Sequence, residues 1–141
     1  MSWTRAKVEG AGVTEAITVE IDEDLSLSIF TVAGDVLVSE IVEFILAHFP
    51  ESRTDNSLWD LTRADLSVLT KDGIVRIAEA GRTVAPYRRA DGKTAVVVTS
   101  EMERVLLTIF RAITDLQGSS RAFEFFDNRD DAIAWIGGSP A

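Results

Sequence analysis

The stretch from Ser57 to Gly81, SLWDLTRADLSVLTKDGIVRIAEAG, decides how the chain is read. Leu58, Trp59 and Leu61 form an apolar run too short for a helix and bounded by polar residues, the pattern of a strand covered on both faces. Asp60 interrupts the run. A carboxylate buried there unpaired would cost several kcal/mol, so it must sit where the strand emerges or find backbone donors. From Thr62 to Leu69, loop polarity alternates with Leu66, Val68 and Leu69, which reads as a connection packed down on the domain. Thr70 then offers its hydroxyl to the first free amides of a helix. Ile74, Ile77, Ala78 and Val84 mark the inner face of that helix, and Arg76, Glu79 and Arg82 face water. Gly81 either weakens or caps it.

Downstream, Pro86 forces an exit, and a polar turn leads to Ala95-Val96-Val97-Val98, the continuous run expected of an interior parallel strand. Ser100 and Glu103 have capping-box spacing. They open a helix with Val105, Leu106, Ile109, Phe110, Ile113 and Leu116 inward, leaving Leu107 off that face. Ala122 to Phe126 reads as the last strand, with Phe123 and Phe125 on one face and Glu124 and Phe126 on the other. Asn128, with Asp131 three residues later, opens a short helix from Ala132 to Ile136, anchored by Trp135 and closed by Gly137-Gly138.

Upstream, Ile17, Val19 and Ile21 alternate with Thr18 and Glu20, Asp22-Glu23-Asp24 turns, and Leu25, Leu27 and Ile29 resume the alternation to about Val32, giving an antiparallel hairpin. Gly34-Asp35 ends it, with Asp35 as the expected cap of a helix whose stripe is Leu37, Val38, Ile41, Val42, Ile45 and Phe49 and which Pro50 stops. Val36, Phe44 and Leu46 lie off that stripe, so the helix is either wedged between layers or presents a hydrophobic edge. The order of elements implies an α/β domain with a mostly parallel five-stranded sheet, an N-terminal β-hairpin and about four helices. It spans residues 15–137, with 1–14 a tail or short added strand and 138–141 a tail.

The strand Leu58-Trp59-Asp60-Leu61, the loop Ala64-Asp65-Leu66-Ser67, the helix to Val84 and the next strand from Thr94 to Thr99 resemble the STAS domain of bacterial anti-sigma-factor antagonists. More closely, the succession looks like the STAS/SEC14-like, SpoIIAA-like family of small bacterial proteins, over roughly Glu15 to Ile136. The antagonists carry Asp-Ser-Ser-Gly at the helix start, where the serine before the glycine is phosphorylated to release a partner. Here the stretch is Thr70-Lys71-Asp72-Gly73, so aligning the glycines places Asp72, which a serine kinase cannot modify, at the switch. Thr70 is either an alternative acceptor or simply an N-cap.

Composition bounds the function. The 141 residues are one ordinary domain, 46% apolar and 26% charged. A net charge of −9 argues against nucleic acid and anionic membrane surfaces, both of which want a basic face. The chain has no cysteine, which removes disulfides and thiolate ligands and suits a cytoplasmic location, and His48 is its only histidine. No apolar run is long enough to span a membrane, and Met1 to Gly12 lacks a signal-peptide core. Gly10-Ala11-Gly12 falls short of a dinucleotide fingerprint, and the acidic clusters at 22–24 and 127–131 lack calcium-loop spacing.

Asp60 and Asp65 could pair as acid and base at the end of the central strand, or belong to a solvated loop with one structural carboxylate; nothing supplies a nucleophile or oxyanion site. Arg76, Arg82, Arg88 and Arg89 could dock a phosphate or acidic partner, or form a solvated face. The expectation is a non-enzymatic protein-interaction module without cofactor or metal. As the resemblance implies, its partner surface lies around Asp60, Asp65, Ser67, Thr70, Lys71, Asp72, Gly73 and Arg76. The alternative is a lipid-like or other small hydrophobic ligand in an apolar pocket beside the helix of residues 36–49. Surplus apolar residues, Val36, Phe44, Leu46 and Leu107, suggest a homodimer.

Overall fold

The computed structural model describes residues 3–6, 17–35, 37–52, 54–65, 70–87, 92–99, 101–116 and 122–138, with side chains outside 3–6 and, within 101–116, at 101, 104, 105, 107–109, 111 and 112. Strands β1 (Trp3–Ala6), β2 (Ile17–Asp22), β3 (Leu27–Asp35), β4 (Asn56–Asp65), β5 (Lys93–Val97) and β6 (Ala122–Phe126) lie side by side in chain order. The first two pairings are antiparallel and the other three parallel. The hairpin and parallel strands expected from the sequence are present, and β1 is the short added strand, pairing Trp3 with Asp22 and Ala6 with Val19.

Helices α1 (Val38–Ser52), α2 (Lys71–Val84) and α3 (Glu101–Leu116) connect the parallel strands, and α4 (Arg129–Gly137) follows β6. A 3-10 turn at Ala85–Tyr87 extends α2. Because every crossover steps the same way along the sheet and such crossovers are right-handed, α1, α2 and α3 share one face. α4 returns across the other, onto β4, β5 and β6.

Two cores result. Phe30, Val32, Leu61, Val96 and Val98 point into the first, with Ile41, Phe44, Ile45 and Phe49 of α1 and Ile74 and Val84 of α2. Leu27, Ile29, Leu58, Ala95 and Val97 point into the second, under Ala132 and Ile136 of α4. The run from Ala95 to Val98 is continuously apolar because alternate residues serve opposite cores.

The lower ends of the strands are stitched by Asn56. Its Nδ2 donates to the Leu25 carbonyl at 2.7 Å, its Oδ1 accepts from the Lys93 N–H at 2.8 Å, and its own N–H donates to the Ser26 carbonyl at 2.8 Å. The hairpin turn closes through the Leu25 N–H, which donates to Asp22 Oδ1 at 3.3 Å, and Ser26 takes the left-handed φ of 46° that the turn needs.

Several expectations are corrected. Residues Thr62 to Asp65 continue β4 rather than starting a loop, because Ala33, Gly34 and Asp35 extend β3 and supply partners for Arg63, Ala64 and Asp65. Asp35 therefore ends a strand, and α1 opens at Val38 with the Glu40 carboxylate accepting from the Leu37 N–H at 3.0 Å. Pro50 lies inside α1, which runs on to Ser52, and Gly81 lies inside α2.

On α1 the expected stripe holds at Ile41, Ile45 and Phe49, which are buried, and at Val38 and Val42, packed against the core, but Leu37 is 59% exposed and Phe44, placed off the stripe, is fully buried. On α3, Leu107 is buried while Val105 and Ile109 are 52% and 37% exposed. Both helices carry apolar residues on more than one side, so packing rather than periodicity sets their rotation. Val36, Ser100 and the segment Leu66 to Leu69, and the side chains of Leu106 and Phe110, lie outside the described residues.

Candidate functional site

The four parallel strands end at one edge of the sheet, where α1, α2 and α3 begin, and ligands in open α/β sheets bind outside such carboxyl ends. The connection after β5 leaves toward α3 and the one after β6 toward α4, so the chain diverges between these two strands. An ion pair between Arg104 and Asp127 bridges that point. With Asp127 78% exposed, it contributes little stability.

On the α4 side, the register of β3 against β4 slips between Thr31 and Ala33, leaving one extra residue in β4 and freeing the Thr62 N–H from the ladder. Asp60 takes it up: Oδ1 accepts from the Thr62 N–H at 3.0 Å and from the Thr62 hydroxyl at 2.7 Å. Its other oxygen, Oδ2, accepts from Arg129 Nε at 2.6 Å, and Arg129 Nη2 also donates to the Thr31 hydroxyl. Burial pushes the Asp60 carboxyl up, but the bonds from Thr62 and Arg129 outweigh it and hold the pKa below the usual carboxylate value. Asp60 is thus ionised at neutral pH, with both oxygens engaged. It is no general acid.

Asp65, at the end of β4, is exposed and lies five residues further on, roughly 16 Å along the strand, too far to share a proton with Asp60. Thr70 adopts extended geometry (φ −103°, ψ 168°), and its hydroxyl accepts from the Gly73 N–H at 3.1 Å, the N-cap arrangement. Thr70, Lys71, Asp72 and Arg76 are all exposed. Gly73 is buried against α1. The sequence-derived set therefore divides. Thr70, Lys71, Asp72 and Arg76 are exposed on the first turns of α2, Asp65 is exposed at the end of β4, and Asp60 serves a polar cluster on the α4 side. Ser67 lies outside the described residues. Arg88 and Arg89 do too, and Arg82 is exposed on α2.

Sequence reasoning missed Arg129 and the role of His48. An aspartate inside an apolar strand signals that donors must meet it, and the expected backbone donor is Thr62, but the cation that joins it is 69 residues away. His48 is buried: Nε2 lies 3.0 Å from Ser28 Oγ, which is 2.6 Å from Thr54 Oγ1. Phe30, Phe44 and Phe49 surround its ring. Ser28 is fully buried, so this serine–histidine contact offers no nucleophile to a substrate. Among the described residues, no group of three His, Cys, Asp or Glu could hold a metal, and no helix is long and apolar enough to cross a membrane.

No protein-family model matches the chain, and no curated protein does. Among solved structures, it is similar to an uncharacterized protein of the DUF3478 family from Shewanella loihica PV-4, described as having a SpoIIAA-like fold. Sequence identity is 16% and the TM-score 0.56, over 86% of this chain and 92% of that one. At that identity the likeness speaks to architecture alone, and it agrees with the hairpin, the parallel strands and the helices built up above. This chain has a SpoIIAA-like fold.

Proposed function

We propose that this chain is a non-enzymatic regulatory module of the cytoplasm that presents a protein partner with the rim formed by Asp65 and the first turns of α2. The observation that carries this reading is the exposure of Asp65, Thr70, Lys71, Asp72 and Arg76, while Asp60 is consumed internally by Thr62 and Arg129. Mixed charge on a rigid helix start gives orientation and specificity to an encounter more than raw affinity. Thr70 works as the cap of α2 and Asp72 holds the first-turn position that favours an acid, so the rim stands without phosphorylation. Packing beside α1 speaks against the hydrophobic-ligand alternative: Phe44, His48 and Phe49 fill the space over Phe30.

The test is co-purification from the native cell with tagged wild type and with the double variant Lys71→Glu, Arg76→Glu, followed by titration of the purified partner. Binding at least tenfold weaker, with folding unchanged, is the expected result. Equal affinity rejects the rim. Native mass spectrometry that finds a retained hydrophobic molecule would overturn the reading in favour of the pocket.

A further inference from the structure

Among the described residues, α1, α2 and α3 are each held at both ends by a sheet strand, whereas no described strand follows α4. α4 is nevertheless the cover of the second core. It sets Ala132 and Ile136 fully into that core and Ile133 and Trp135 partly, over Leu27, Ile29, Leu58, Ala95 and Val97. So small an apolar face is reinforced by a cation at each end. At its start, Arg129 reaches Asp60 and Thr31. At its finish, Lys93 Nζ donates to the carbonyls of Trp135 at 2.7 Å and of Ile136 and Gly138 at 3.4 Å, and stands 5.3 Å from the centre of the Trp135 ring. The last carbonyls of a helix have no partners within it, and a cation there also meets the negative end of the dipole.

We infer that α4 is a latched lid: it opens as a unit, separately from the rest of the fold, and the Asp60–Arg129 and Lys93–carbonyl contacts set how often it does so. Asp60 anchors one latch from β4 and Lys93 the other from β5, so both act across the strands whose apolar face the lid covers. Opening breaks the latches and uncovers Leu27, Ile29, Leu58, Ala95 and Val97 while leaving the α1–α3 side packed. Elements with few apolar contacts and polar attachments are those that open below the free energy of global unfolding.

Residue-resolved amide exchange on the whole chain tests this, in wild type and in two variants that cut opposite latches, Asp60→Asn and Lys93→Met. In wild type, amides of residues 132–136 should exchange at least tenfold faster than slow amides of β3 and β4, with an opening that depends little on denaturant. Each variant should speed α4 exchange a further tenfold or more, and because the contact is lost in the open and the unfolded states alike, slow amides such as Phe30 and Val32 should speed by about the same factor, so that α4 stays at least tenfold faster than they are. Wild-type α4 protection equal to that of β4 overturns the lid. A variant that speeds exchange of β3 and β4 but leaves α4 unchanged shows that its contact survives the opening of α4 and is no latch, and that too overturns the inference.

Discussion

A β-carbon on Gly73, at the start of α2, would lie 2.7 Å from Val38 Cγ2, at the start of α1. The two helices approach each other there more closely than any other residue allows, which gives this glycine a packing reason independent of any switch. Gly73→Ala gains about 1 kcal/mol of helix propensity but forces an overlap that costs about 1 to 3 kcal/mol. We expect net destabilisation of up to about 2 kcal/mol by urea unfolding. A stabilised variant would mean that Val38 yields freely.

Asp60→Asn should cost about 1 to 3 kcal/mol at pH 7, since it leaves a partly buried guanidinium without its counter-charge. The folded pKa of Asp60 lies below its unfolded one. Its stabilisation is therefore complete above the unfolded value and is lost as the pH falls through the folded one. Wild type and variant should converge in acid, below about pH 4. A stability gap that stays constant from pH 7 to pH 3 would assign the loss to shape rather than charge.

Ser28→Ala removes the hydroxyl that joins His48 to Thr54 inside the first core. Leaving buried polar groups without that partner should cost about 1 to 3 kcal/mol. Denaturant midpoints at pH 7 measure it, and a loss under about 0.5 kcal/mol would show that His48 and Thr54 find other bonds.

The alternation of Ile17, Val19 and Ile21, and the unbroken run from Ala95 to Val98, were legible because a strand's side chains obey a strict period of two and the run length marks a strand with two covered faces. The caps at Thr70 and Asn128 were legible because capping is local chemistry. What sequence could not supply depends on contacts far apart in the chain. The tail of β4 is a strand only because β3 extends beside it, and the cation for Asp60 comes from α4. Leu37 against Phe44, and Val105 against Leu107, are choices between apolar faces of one helix, which the neighbouring layer decides.

Trp59 packs at a tilt against Phe30, ring centres 4.3 Å apart, and lies against the first core while partly exposed. Trp59→Ala should cost about 3 kcal/mol, the low end for emptying a large aromatic site. A loss below about 1 kcal/mol, read from the denaturation midpoint, would place its indole in solvent and move it to the rim as a binding group.

Self-association should be weak. Phe44 and Leu107, two of the residues that suggested a dimer, belong to the core, while Leu46 is exposed alone on α1; among the described side chains of α3, the large apolar groups left outside are Val105 and Ile109, a single turn apart. Covering both removes roughly 150 Å² of apolar surface per copy, worth about 8 kcal/mol gross per pair. Association costs about 4 to 15 kcal/mol, and like net charges of −9 add repulsion at low salt, so the balance falls near zero. Sedimentation equilibrium should return a mass near 15.4 kDa up to tens of micromolar, with a heavier average only at higher loading and high salt. A stable dimer at micromolar concentration would require a larger interface. Val105→Lys would then locate it: a dimer that survives the substitution does not use α3.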